Sequence, residues 1–351
     1  MSERPRVAIL AEGLFTQKTA KTAIGVIRYA PYPIVGVVDS TRAGTTAVDA
    51  VGVGAGIPVV ATVGDAIARG ATVLLVGTAA PGGRIPEPYR PLIAEALRGG
   101  LEIWSGLHER VLDDPALRDA AARGGGRVRE LREPPADLPI GGHRERRTGA
   151  RIVLTVGSDA AVGKMTVALE LVRALERVGL RAAFVATGQT GIAIAGLGIA
   201  VDAVVADFIA GAAERMVCDA AESADWIVVE GQGALTHPGF SGVTLGLLHG
   251  SAPDLLLLCH DAGRTEVKGF PGLPIRPLRE LVELYEAAAT WSRRAGARVP
   301  VAGLALNTSA LDSEAATRAI QRAAAETGLP AADPVREGDA GADRLAAALL
   351  R

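Results

Sequence analysis

Residues 151–166 read RIVLTVGSDAAVGKMT: a short apolar run, a glycine-bearing turn ending in lysine, and the start of a longer helical stretch. Ile152 to Val156 has the composition of a buried strand, and MTVALELVRALERVG after it carries apolar residues at helical spacing. Strand, turn and helix in that order let backbone N–H groups and the helix N-terminus surround phosphate oxygens, with Lys164 neutralising their charge. The usual loop places its first glycine where Ser158 stands here, and Gly157 comes one position earlier. Met165 takes the position of the serine or threonine that normally holds Mg²⁺, and a thioether is a poor ligand for a hard cation. Thr166 cannot simply replace it, because one residue along a helix turns a side chain by about 100°. The stretch from Gly157 through Ser158, Asp159, Ala160, Ala161, Val162, Gly163, Lys164 and Met165 to Thr166 therefore reads as a diphosphate site without a metal of its own.

Working outward, RAAFVA, DWIVVEG, DLLLLCH and PVAGLALN read as further buried strands of the same domain. Asp312 and Ser313 can cap a helix running towards Glu326, and ADRLAAALLR closes the chain as another amphipathic helix. Upstream, RVAIL, PIVGVVD and TVLLVG alternate with the helix-compatible TAKTAIGVIRYA and VGDAIARG, a βαβ pattern that implies a parallel sheet. The fold class is α/β: a Rossmann-like domain over residues 1–123, then a P-loop NTPase-like parallel-sheet domain over residues 151–351. Between them residues 124–150 are rich in glycine, proline and arginine, without a trusted helical or strand period, and read as the connection. Its HRERR run, His143 to Arg147, reads as a solvated linker face. GVGAG, Gly52 to Gly56, does not join the first strand to its helix and reads as a tight turn rather than a dinucleotide fingerprint.

The 351 residues suit two domains, and a net charge of −2 offers no broad basic face for nucleic acid or acidic lipid. Cys218 and Cys259 lack metal-ligand spacing and read as core thiols in a reducing compartment. MSERPRVAIL lacks the features of a signal peptide, so a cytoplasmic protein is expected. The uncharged stretch from Ala182 to Val201 contains four glycines and the polar TGQTG, and reads as a buried strand with turns instead of a membrane helix.

The GxDxxVGK form resembles the phosphate loop of dethiobiotin synthetase, in which the aspartate adds a polar group beside the phosphates. A wider set of motifs, GSDAAVGKMT, TGQTG, VEGQGALTHPGFSGVTLGLLHGSAPD, CHDAGR, AEGLFTQKTAKTA, GTAAPGGRIP and SGLHERVLDD, spans nearly the whole chain. Together they resemble the DgcN-type family of D-amino-acid N-acetyltransferases, formerly catalogued as a domain of unknown function. The resemblance implies acetyl-CoA as cosubstrate, its diphosphate on the loop, and an amino acid, typically D-glutamate, as acceptor.

Acetyl transfer from a thioester to an amine needs a neutral amine, a stabilised oxyanion and a departing thiolate. Glu230 ends WIVVE beside Gly231 and Gly233, so it can act as a base or merely cap or pair. His237 in the rigid LTHPGF and His260 at the end of DLLLLCH lie after strands, where open α/β sheets carry ligands, and either can accept a proton. An acidic acceptor calls for cations: Arg264 suits a carboxylate clamp, and Lys18 and Lys21 follow the first strand, unless both occupy a solvated helix face. Gln189 and Thr190 read as loop contacts near substrate, together with Gln232. Asn307 resembles the adenine-contacting asparagine of dethiobiotin-synthetase-like enzymes, and adenine is common to ATP and CoA.

Two other classes stay open. One is an ATP- and Mg²⁺-dependent kinase or ligase, with Asp159, Asp207 or Glu230 recruiting the metal despite Met165; the other is a non-catalytic nucleotide- or CoA-binding regulator. Chains of this two-domain type often associate, so a homo-oligomer is an expectation, with no interface visible in the sequence.

Overall fold

The computed structural model describes residues 4–78, 81–144, 146–147, 149–293 and 295–351. Ala79 and Ala80 of GTAAPGGRIP and Glu145 of the basic run lie outside these residues. Two compact units form: Met1–Glu133 with Ile192–Leu197, and Pro134–Gly191 with Gly198–Arg351.

Among the described residues the first unit holds six strands: β1 (Val7–Leu10), β2 (Ile34–Val38), β3 (Val59–Val60), β4 (Val73–Val76), β5 (Glu102–Ser105) and β6 (Arg127–Glu130). All pair in parallel in the order β3-β2-β1-β4-β5-β6, the Rossmann arrangement. β1 and β4 are buried along their whole length, as central parallel strands covered on both faces must be. β6 lies within the stretch read as a connection, and its RVRE sequence has no apolar alternation because it is a partly exposed edge strand. Gly52 ends the helix Ala47–Val51 at φ 78°, so GVGAG does form a turn. Asp39, at the C-terminal end of β2, is fully buried, and its carboxylate accepts from the amides of Gly13, Phe15 and Thr41 and from the Thr41 hydroxyl. The residue position that holds a ribose in dinucleotide-binding Rossmann domains is thus used to shape the loop after β1. In SGLHERVLDD, Glu109 and Asp114 both reach Arg90, at 2.7 and 2.5 Å.

The second unit has β7 (Arg151–Gly157), β8 (Ala182–Val185), β9 (Trp226–Val229), β10 (Leu255–Asp261), β11 (Val301–Asn307) and β12 (Ala331–Ala332). They form a parallel sheet in the order β12-β11-β10-β7-β9-β8. One face packs against the helices Ile209–Ala221 and Leu278–Thr290 through Ile209, Met216, Leu281 and Tyr285. The other receives Leu171 and Leu175 of the helix Lys164–Arg177 and Leu345 and Leu349 of Asp339–Leu349. Asp312 caps the helix Ser313–Thr327 through the Ala315 amide, as its sequence position suggests. The chain leaves β7 towards β8 and β9 on one side and returns to β10 on the other, so the topological switch point, where open α/β sheets place their ligands, lies between β7 and β10.

Ala182 to Val201 contains β8 and the short helix Gln189–Ala195, and among the described residues no helix is long and apolar enough to cross a membrane. Cys259 is buried and Cys218 half-buried, both as free thiols.

Candidate active site

β7 delivers the chain into residues 158–163, and the 14-residue helix Lys164–Arg177 begins immediately afterwards. Ala161 (φ 56°) and Gly163 (φ 104°) adopt left-handed conformations, which fold the loop back over the strand end. Among the described residues no side chain caps this helix, so its first amides are available to an anion, as the helix geometry requires some acceptor for them. Lys164 is 6% exposed, and its Nζ donates to the carbonyls of Asp159 (2.9 Å) and Gly233 (2.7 Å). Burial draws its pKa down to about 8. Gly157 leaves room for that ammonium: a Cβ there would stand 2.8 Å from Nζ. Met165 follows with its thioether at the first helical turn, and Thr166 beside it is half-buried.

Asp159, which the resemblance to dethiobiotin synthetase places beside the phosphates, has its carboxylate turned into the protein. It is fully buried and accepts from Arg264 Nη1 (2.7 Å), the Lys268 amide (2.8 Å) and the Ala160 amide (2.7 Å). Burial alone would raise its pKa, but the Arg264, Lys268 and Ala160 donors hold it below the usual carboxylate range. Arg264 also donates to the Ala160 carbonyl at 2.7 Å and to Asp261 at 3.2 Å. Its guanidinium is therefore a brace for the phosphate loop, not a free clamp for a substrate carboxylate.

His237 is 3% exposed, stacked on Phe240 and edge-on to Phe270. Its Nδ1 accepts from the Gly239 amide (3.1 Å), which assigns the proton to Nε2, facing the Lys268 carbonyl at 3.3 Å and Asp159 at 3.8 Å. With both nitrogens engaged, His237 packs behind the loop. His260, the other histidine candidate, is half-buried at the end of β10, and its Nδ1 lies 2.9 Å from Ser158 Oγ. That contact spans the switch point, and burial lowers the pKa of the ring, favouring the neutral imidazole.

Glu230, directly after β9, is 6% exposed. Its Oε2 accepts from the amides of Thr187 (3.0 Å) and Gly188 (3.3 Å), and Gln232 Nε2 stands 3.5 Å from Oε1. Burial raises its pKa to about 7, against the pull of the two amides and of Lys164. The carboxyl sits among glycines: a Cβ on Gly191 would come within 2.5 Å of Oε2, and one on Gly188 within 2.7 Å of Gln232 Nε2. Gly231 has Thr155 O where its Cβ would be, at 1.7 Å, and Gly233 has Phe240 O at 2.6 Å. Gln232 also donates to Thr187 Oγ1 at 3.2 Å, so Glu230, Gln232 and Thr187 form one network.

Gln189 and Thr190 open a helix instead of lying in a loop. Asn307 ends β11 with its Oδ1 accepting from the Ser309 amide at 3.1 Å, an Asx turn. Asp207 is exposed. In the first unit, Lys21 is the first residue of the helix Lys21–Tyr29 and Lys18 lies in the turn before it; both are exposed, but they do not share a helix face. No group of three or more His, Cys, Asp and Glu suited to a metal occurs among the described residues. Tyr285 is a site residue that sequence reading misses. Buried in Leu278–Thr290, its hydroxyl donates to the Gly157 carbonyl (2.7 Å) and accepts from the Leu235 amide (3.0 Å).

Residues 139–346 match the P-loop domain, and residues 40–134 the Rossmann-like domain, of the family described as domain of unknown function DUF1611. The chain is 39% identical over 288 residues to a D-glutamate N-acetyltransferase from Tritonibacter scottomollicae, covering 82% of this chain and 84% of that protein. A D-glutamate N-acetyltransferase from a Pseudoalteromonas species is 38% identical over 274 residues, covering 78% and 81%. A crystal structure of a DUF1611 family protein from Anabaena variabilis superposes with a TM-score of 0.91 at 42% identity, over 99% of each chain. With both domain matches, these relatives and the parallel sheets in agreement, the chain belongs to the DUF1611 family.

Proposed function

We propose that this enzyme transfers an acetyl group from acetyl-CoA to the amino group of D-glutamate. The observation that carries the reading is 39% identity over most of the chain to a D-glutamate N-acetyltransferase, joined to a buried carboxyl tuned for proton transfer near neutrality. A thioester supplies an acyl carbon already activated for attack, so the protein must position it, release an amine lone pair and manage protons. The residues present fit the donor's diphosphate: the uncapped helix Lys164–Arg177, the left-handed Ala161 and Gly163, and the Lys164 ammonium would hold it. Binding there requires no metal ligand at Met165.

Glu230 has a pKa of about 7, which suits a base that takes a proton from an ammonium group and can return it. Its Oε2 is fixed by the Thr187 and Gly188 amides, leaving Oε1, beside Gln232, as the atom that accepts the proton. The nitrogen then bonds to the acyl carbon and sheds a second proton in becoming an amide, the carbon–sulfur bond breaks, and the sulfur leaves with its electron pair, taking up one of the two protons as the thiol while the other passes to solvent. Gln232 and Thr187 keep the carboxyl oriented through the cycle.

The test is thiol release from acetyl-CoA with a panel of D- and L-amino acids, with and without EDTA. D-glutamate-dependent thiol, unaffected by EDTA, is the expected result. No acceptor-dependent thiol from any amino acid, together with Mg²⁺-dependent phosphate release from ATP, would overturn it.

A further inference from the structure

At the C-terminal end of the second sheet lies a cavity of about 310 Å³, lined from β10, β11 and the helices Leu278–Thr290 and Ser313–Thr327. Its wall includes His260 and Arg264, whose side chains bond the buried Ser158 and Asp159, so two of its lining residues also hold the phosphate loop. Leu306, the penultimate residue of β11, contributes an apolar surface, while Arg276, Arg322 and Glu326 line the cavity further along.

The charges divide into fixed and movable ones. Arg264 is committed to Asp159, Asp261 and the Ala160 carbonyl. Glu326 accepts from the Arg279 amide at 3.2 Å, and its own carbonyl accepts from the Arg279 guanidinium. Among the described residues Arg276 pairs with Glu280 alone, both being about half exposed, and such a pair yields readily to a stronger anion. Arg322, on the helix Ser313–Thr327, makes no ion pair among the described residues. The cavity thus offers two adaptable guanidinium groups, at the same edge of the sheet as a loop suited to a diphosphate.

We propose that this cavity takes the ribose 3′-phosphate of coenzyme A, with Arg322 and Arg276 as its ligands. This deepens the donor assignment above and rests on it. The phosphate loop by itself accepts any nucleoside diphosphate; a second anion site beside it selects the acyl carrier over ATP or ADP. Arginine suits the role because its planar fork meets phosphate oxygens in pairs.

Two measurements test the assignment. In steady-state transfer to D-glutamate, the wild type favours acetyl-CoA over acetyl-3′-dephospho-CoA by roughly 10-fold or more in kcat/KM, as expected for a charge-assisted contact. Arg322→Glu, and separately Arg276→Ala, bring that ratio towards one. By calorimetry, which does not depend on turnover, adenosine 3′,5′-bisphosphate binds the wild type more tightly than adenosine 5′-monophosphate, and Arg322→Glu abolishes the difference. Equal use of the two donors by the wild type, or a variant penalty equal for both, overturns the proposal. So does a variant whose sole effect is a raised KM for D-glutamate, which would assign the cavity to the acceptor's carboxylate. If neither donor yields thiol, it is the donor reading that fails; equal affinity for the two nucleotides would then sink the 3′-phosphate site as well.

Discussion

The hydroxyl of Tyr285 lies 2.7 Å from the carbonyl oxygen of Gly157 and accepts the amide of Leu235, so one side chain joins the start of the phosphate loop to the segment after Glu230. Both backbone groups depend on it inside the protein. Tyr285→Phe leaves a carbonyl and an amide without that partner and is expected to cost about 1–3 kcal/mol, read as a lowered urea midpoint. Unchanged stability with unchanged KM for the donor would show that the bridge is dispensable.

Glu230→Gln keeps the shape of the side chain and removes the base. A fall of roughly 10²–10⁴-fold in kcat is expected, with little change in donor affinity. In the wild type, kcat/KM should rise with pH through about 7 as the carboxyl ionises, and the variant should lack that limb. Wild-type turnover by the variant would remove Glu230 from the mechanism.

The same carboxyl links stability to pH. Its folded pKa, about 7, lies above the ordinary 4.5, so between these values the unfolded chain has lost a proton that the folded chain retains. The unfolded state binds fewer protons there, and folding stability therefore falls as pH rises from about 4.5 to 7, then levels off. The difference between wild type and Glu230→Gln, followed by urea unfolding across that window, isolates up to about 3 kcal/mol. A flat difference would contradict the raised pKa.

Lys164 behaves in the opposite sense. Burial lowers its pKa from 10.5 to about 8, so the folded chain should gain stability as pH rises between those values, a gain that Lys164→Met lacks. Lys164→Ala is expected to weaken acetyl-CoA binding by at least roughly 10-fold, since it removes the cation of the loop. Equal affinities measured by calorimetry would reassign the loop.

Two glycine replacements separate crowding from helix propensity. Gly191→Ala places a methyl 2.5 Å from Glu230 Oε2 and should displace the carboxyl from the Thr187 and Gly188 amides, lowering kcat well before it affects donor binding. Gly242→Ala meets nothing within 4 Å and lies in the helix Ser241–Ser251, so activity should persist with stability raised by a few tenths of a kcal/mol. Equal activity in the two variants would mean that the Glu230 cradle is not needed.

Much of the fold is local enough to be legible in the sequence. Ile152 to Val156, the GSDAAVGK turn and the helix after it declare strand, loop and helix within one window. Arg127–Glu130 gives no such signal, because a charged edge strand lacks an apolar face, and Gln189–Ala195 hides its helix among glycines. The site divides in the same way. Glu230 stands out as an acid ending an apolar strand, whereas the Asp159–Arg264 pair joins residues 105 apart and Tyr285 reaches Gly157 across 128. Residue type suggested a carboxylate clamp at Arg264 and a base at His237; the partners brought by folding tie Arg264 to the phosphate loop and engage both nitrogens of His237.

The glycines around Glu230 have an evolutionary consequence. At positions 188 and 191 a Cβ would come within 2.7 Å of the Gln232 amide and 2.5 Å of the Glu230 carboxyl, whereas at 231 and 233 it would meet the main-chain oxygens of Thr155 and Phe240 at 1.7 and 2.6 Å. Variation near Glu230 is therefore left to positions other than 231 and 233, where the obstructing atoms are main-chain oxygens that cannot swing aside.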